Sequence, residues 1–241
     1  MSGDIGRREL VQGMGLLTGA VALSGAGPQS SFAAAMPASG ASPPTFTAKP
    51  LPFDPKSLNG LSEKLIVSHH DNNYAGAVKR LNAITEQLAG LDFSTAPTFL
   101  INGLKREELI ATNSMILHEV YFASLAGSGR PKGKLLDAIN RDFAGFDRWR
   151  AQFSAIGKAQ GGGSGWTVLA YSPRDRRLVN HWAADHTTTL AGGHPILVLD
   201  MFEHAYQMDY GAKAAAYVDV FMEMINWENA GKSYEKCRKE T

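Results

Sequence analysis

Ile196-Leu197-Val198-Leu199-Asp200-Met201-Phe202-Glu203-His204-Ala205-Tyr206 is the stretch on which the reading of this chain turns. Four consecutive apolar residues predict a short buried strand over 196–199. A helical region follows from about Phe202, broken near Gly211, and runs on to Trp227. With a helical turn between them, an aspartate at the strand end and a histidine four residues later can converge on one ion. The spacing alone is weak, because an aspartate at a helix start is more often a cap and an isolated buried histidine more often a hydrogen-bonded core residue.

Upstream of this junction lie two further strand candidates, 166–171 and 177–182. Pro173-Arg174-Asp175-Arg176 supplies the turn between them. Before Gly161-Gly162-Gly163 the hydrophobic period is helical. Leu65, His69, Val78, Leu81, Ile84 and Leu88 predict a helix over 62–89, with Ser62 as its cap. Leu109, Ile110, Ile116, Leu117, Val120 and Tyr121 predict a second over 105–125, ended by the glycine-rich loop 127–133. A third covers 135–151 and continues or restarts before Gly161. The fold class is therefore α+β: a helical N-terminal half, a small antiparallel sheet, then C-terminal helices. Residues 51–130 form the N-terminal helical part and 131–241 the C-terminal α+β part, without an internal repeat.

His69 and His118 each sit among apolar residues on a helix, where a neutral imidazole needs a partner. Each alone reads more readily as a hydrogen-bonded core histidine than as a ligand. An Asp-x-x-x-His junction in the same domain gives their burial a common explanation. Carboxylate and imidazoles suit iron or manganese better than a soft thiolate site, which a chain with one cysteine, Cys237, cannot build.

The chain has 241 residues, enough for one sizeable core. Its 24 basic and 23 acidic residues leave a formal charge of +1, with no basic block of the kind that binds nucleic acid. Residues 1–35 read as an export signal: Arg7-Arg8, an apolar run over 10–23, and small residues ending in Ala33-Ala34-Ala35. The arginine pair resembles a twin-arginine signal, which implies a periplasmic or secreted bacterial protein. The run is shorter than the roughly 18 residues a span needs, so no stable membrane anchor is expected. The Ala/Ser/Pro/Thr-rich residues 36–50 read as a disordered linker.

From about residue 51 to 228 the sequence resembles the iron/manganese superoxide dismutases. The resemblance is carried by Leu51-Pro52-Phe53, the helix over 62–82, the segment 113–125, Gly163-Ser164-Gly165-Trp166, the motif from Asp200 to Tyr206, and Asn226-Trp227-Glu228. It implies that His69, His118, Asp200 and His204 hold one iron or manganese ion per subunit and that the substrate is superoxide. It further implies a homodimer or higher homo-oligomer, with Glu203 and Tyr206 reaching across the interface, and Tyr121 and Trp166 lining the metal pocket. The family's gateway histidine and tyrosine, four and eight residues after the first ligand, are here Asn73 and Ala77. Its solvent-binding glutamine has no match, since Ser114 and Ala184 occupy the usual places. His186 is then the expected hydrogen-bond donor to solvent on the metal, with Asn73 and Tyr206 as the remaining polar groups of the catalytic site. Two other readings follow from these departures: a different oxidoreductase activity on the same ion, and a non-enzymatic, metal-containing exported protein.

Overall fold

The computed structural model describes residues 42–240; the expected export signal lies outside them. Residues 42–50 carry no helix or strand, but they are tied down. Phe46 exchanges both backbone hydrogen bonds with the Asn82 side chain, at 2.8 Å each, and packs on the core. The Lys49 backbone N–H donates to the Tyr74 hydroxyl. Order therefore begins upstream of Leu51, because side chains of the first helices satisfy this segment's backbone.

The expected helix over 62–89 is one path of three pieces. Helix α1 (Glu63–Ser68) is capped by the Ser62 hydroxyl, which accepts from the Leu65 N–H at 3.1 Å. A π-helical turn (His69–Tyr74) follows, and then α2 (Ala75–Ala89). The π turn widens the helix by one residue at the position of His69, a distortion that recurs at functional sites. Helix α3 (Thr98–Ala123) starts seven residues earlier than its apolar pattern predicts, and packs antiparallel along α2. The region over 135–159 is two helices, α4 (Gly133–Phe143) and α5 (Phe146–Ala159). Ala144 and Gly145 separate them with φ of 58° and 124°, values no helix tolerates.

Three antiparallel strands follow: β1 (Trp166–Ser172), β2 (Arg177–Ala183) and β3 (His194–Asp200), in the order β2-β1-β3. Every residue of the central strand β1 is buried. Its register sets Trp166 opposite Asp200 at one end and Tyr171 opposite His194 at the other. Gly165 enters β1 at φ 142°, and a Cβ there would meet the Ala183 carbonyl at 2.4 Å, so only glycine fits. Its own carbonyl accepts from Met201 N–H, fixing the residue beside Asp200. The chain closes with a 3-10 turn (Glu203–Ala205), α6 (Gln207–Tyr210), α7 (Ala214–Glu223) and α8 (Trp227–Lys239). The α+β order read from the sequence is the order of the fold. Helix α8 escapes that reading because it is mostly polar; an Asn226 cap and three basic residues in its last turn define it.

Candidate metal centre

Asp200, the last residue of β3, has a carboxylate divided between two tasks. Oδ1 accepts from the Phe202 N–H at 2.8 Å, which locks the side chain over the turn. Oδ2 faces three imidazoles: Nε2 of His69 at 3.1 Å, of His204 at 3.3 Å and of His118 at 3.6 Å. His69 opens the π turn, His118 lies on α3, and His204 sits in the 3-10 turn just after the strand. The four donor atoms lie within 4.8 Å of one another, as one ion requires.

The protonation pattern suits a cation. His118 Nδ1–H donates to the Ser114 carbonyl at 2.7 Å, so its bare Nε2 lone pair points into the cluster. Burial, and then the neighbouring His69, push the His118 pKa down to about 3; burial lowers that of His69 as well. Burial works against the charged form of Asp200, yet His204 and His69 together hold its carboxyl well below the usual carboxylate range. Burial thus keeps His69 and His118 in the uncharged form whose lone pairs a cation can take, beside a carboxylate that stays ionised.

Among the described residues, the buried side-chain nitrogens and oxygens without a hydrogen-bond partner are the two ring nitrogens of His69 and Nε2 of His118. An orphaned buried polar atom costs about 1–3 kcal/mol. Two of these three, both Nε2, face the Asp200 oxygen, where an ion supplies the missing partner. Hard-to-intermediate nitrogen and oxygen donors fit iron or manganese. The four residues form a mononuclear site for one iron or manganese ion.

The family model for the C-terminal domain of iron/manganese superoxide dismutases matches residues 131–233. The "Superoxide dismutase [Fe]" of Cupriavidus metallidurans is 66% identical over 189 residues, which cover 78% of this chain and 96% of that protein. The chain belongs to the iron/manganese superoxide dismutase family. More distant members are named for either metal. The "Superoxide dismutase [Mn]" of Haloarcula marismortui is 34% identical, over 78% of this chain and 92% of that protein. The "Superoxide dismutase [Fe]" of Aquifex aeolicus is also 34% identical, over 77% and 89%.

In the present chain a cavity of about 280 Å³ reaches the ligands His118 and His204. Asn72, Asn73, Gly76, Ala77 and Arg80 line it from the first helices, and Ser114 and His186 line it from deeper in the fold. Asn73 and Ala77 therefore face the cavity, as the sequence register implies. Tyr74, one residue on, turns to the other side. It is buried, and its hydroxyl donates to Glu119 at 3.1 Å while accepting from the Lys49 N–H.

His186 stands in the loop between β2 and β3, held on three sides. Asp185 Oδ1 accepts from the Thr187 N–H and hydroxyl, and Asn113 Nδ2 donates to the His186 carbonyl at 2.5 Å. Trp166 Nε1–H donates to His186 Nδ1 at 3.0 Å. With Nδ1 accepting, the imidazole carries its proton on Nε2. Burial lowers its pKa, which keeps it neutral. The Phe202 ring is stacked between His186, at 4.8 Å, and His204, at 5.4 Å.

Tyr206 is the expected site residue that the structure does not bring to the cavity. It is buried, its ring stacked on Tyr217 at 5.3 Å, because the 3-10 turn that presents His204 rotates position 206 into the core. Glu203, by contrast, is exposed. The sequence reading missed Arg80, although its signal was present: it follows Ala77 by one helical turn on the cavity face.

Proposed function

We propose that this chain disproportionates superoxide to oxygen and hydrogen peroxide, with His186 and Asn73 as the polar groups on the proton side. The observation that carries the reading is the convergence of three histidine Nε2 atoms on Asp200 Oδ2 in a chain of this family. A bound iron or manganese ion, alternating between its +3 and +2 states, supplies one-electron oxidation of one superoxide and one-electron reduction of the next. Two protons are needed for the reduction, and they are consumed in forming the peroxide. His186 Nε2–H is a neutral donor held by Trp166, and it can orient a small oxygen ligand or solvent in the cavity. Asn73 donates or accepts but does not relay a proton as an imidazole would. The proposal therefore routes the protons through solvent entering the cavity past Asn73 and Ala77, both of which line it.

The chain is proposed to act outside the cytoplasm, on the strength of Arg7-Arg8 and the apolar run after it. Cell fractionation with N-terminal sequencing tests this, and recovery of the protein only from the cytoplasm, with residue 1 intact, would overturn it. Among the described residues no helix is long and apolar enough to cross a membrane. A homodimer is proposed from the exposed Glu203 carboxylate, which has no ion pair among the described residues and stands beside the partly exposed His204.

One observation favours a different oxidoreductase activity on the same ion: Ala77 and Asn73 leave the cavity without its family gateway pair. Metal analysis combined with a superoxide-disproportionation assay on protein carrying its own metal separates the readings. The proposal expects full occupancy with turnover. Full occupancy with negligible turnover would sink it in favour of another activity or a non-enzymatic role.

A further inference from the structure

Three arginines and two tyrosines meet at the end of β1 remote from the metal. Trp166, opposite Asp200, begins the strand, and Tyr171 lies about 17 Å further along it. There a cavity of about 340 Å³ is lined by Arg141, Tyr171, Arg176, Tyr234 and Arg238. Arg141 comes from α4, Arg176 from the turn between β1 and β2, and Tyr234 and Arg238 from α8. Only the tertiary fold brings them together.

Each cation is placed differently. Arg141 is clamped by Asp142 through Nε–Oδ1 and Nη2–Oδ2 bonds of 2.7 Å, and Asp142 Oδ2 also accepts from the Leu178 N–H, which anchors the pair to β2. Arg141 Nη2 further reaches the Arg176 carbonyl at 3.4 Å. Arg176 holds a left-handed backbone at φ 51°, a conformation that favours glycine, yet the residue is an arginine. Neither Arg176 nor Arg238 has a carboxylate within 4.0 Å among the described residues. Tyr171 and Tyr234 are both buried, their rings edge to face at 5.7 Å, and they form the apolar wall. No acidic side chain lines the cavity.

Gathering like charges with two of the three uncompensated is unfavourable unless an anion occupies the space between them. Guanidinium forks match the geometry of a tetrahedral oxyanion, and the tyrosine wall lowers the local polarity in which they would pair with it. The volume is at the lower end for small-molecule sites. We propose that this cavity binds a doubly charged tetrahedral oxyanion, either inorganic phosphate or the phosphoryl group of a small phosphomonoester. The site is independent of the metal centre and of the dismutase reading.

The test is calorimetric titration of the full, metal-loaded chain at low ionic strength with inorganic phosphate and, separately, with glycerol 3-phosphate. Two variants accompany it: Arg238→Gln, and Arg176→Gly, which removes the cation while suiting the left-handed backbone. Unchanged bound metal in each variant certifies folding. The expected result is saturable binding in the parent and a loss of about tenfold or more in affinity in each variant, the scale of a lost charge-assisted bond. Tighter binding of glycerol 3-phosphate than of phosphate identifies a phosphomonoester as the ligand, and the reverse order identifies free phosphate. Absence of binding up to about 10 mM overturns the proposal. So does a parent-like affinity in both variants, which would move the bound anion elsewhere.

Discussion

Trp166 donates its indole N–H to Nδ1 of His186 at 3.0 Å, and this bond decides which nitrogen of the imidazole carries the proton. Trp166 starts the central strand and touches the His118 ring edge-on at 5.1 Å, so one side chain contacts both a metal ligand and the cavity donor. Trp166→Phe keeps most of the ring and removes the N–H. Losing a hydrogen bond worth about 1 kcal/mol should lower dismutation at saturating superoxide roughly fivefold, with bound metal unchanged. Pulse radiolysis with metal analysis checks this. A parent-like rate at full occupancy would remove His186 orientation from the mechanism.

His118→Ala should abolish stable metal binding. The variant loses a buried donor and leaves Asp200 facing two imidazoles in place of three. Bound metal measured on purified protein checks this, and occupancy equal to the parent's would take His118 out of the site.

Acid should destabilise the metal-free protein in a defined window. His118 is held down to about 3 and His69 is lowered, whereas both titrate near 6.5 in the unfolded chain. Between those limits the unfolded state binds more protons, so stability falls as pH falls from about 6.5. Each histidine contributes a slope of up to about 1.4 kcal/mol per pH unit. The depressed Asp200 carboxyl adds a further loss only at lower pH, as pH drops through the ordinary carboxylate range. Urea midpoints of metal-free protein against pH provide the measurement. His118→Asn, which can still donate to the Ser114 carbonyl but cannot titrate, should show a shallower slope.

If proton supply past Asn73 and Ala77 limits the proposed turnover, Asn73→His with Ala77→Tyr should raise dismutation at high superoxide and change it less at low superoxide. Both positions line the 280 Å³ cavity, which offers the added side chains space. Overpacking against Arg80 or Ile110 would cost about 1–3 kcal/mol, so stability is measured alongside rate. The two changes are made together, since either side chain alone lacks its partner. An unchanged saturating rate in folded, metal-loaded protein would mean that protons arrive by another path.

Glu203→Ala should weaken a dimer without loss of metal, because the residue is exposed in the single chain and is not a ligand. Sedimentation equilibrium at micromolar concentration is the check. A parent that is only monomeric there would rule out the dimer.

The sequence by itself determined the α+β order and the strand that ends at Asp200, features written in local periods, and its resemblance to a family supplied the four ligands, which spacing alone left open. The apolar run 196–199 has to be buried, and a histidine on an apolar helical face has to find a partner. The tertiary structure alone decided the rest. Nothing local separates one helix over 62–89 from two helices joined by a π turn at His69, since both bury the same apolar face. The pairing of Trp166 with His186, twenty residues apart, depends on how a loop returns to the start of the sheet. The resemblance put Tyr206 among the polar groups of the catalytic site, but the 3-10 turn that aims His204 at Asp200 sends it into the core against Tyr217. The arginines at the far end of β1 were invisible in a net charge of +1, because charge counts do not record which cations the fold leaves facing one another. Hydrogen-bond direction and the sharing of space between distant segments are properties of packing, and packing exists only once the chain has closed on itself.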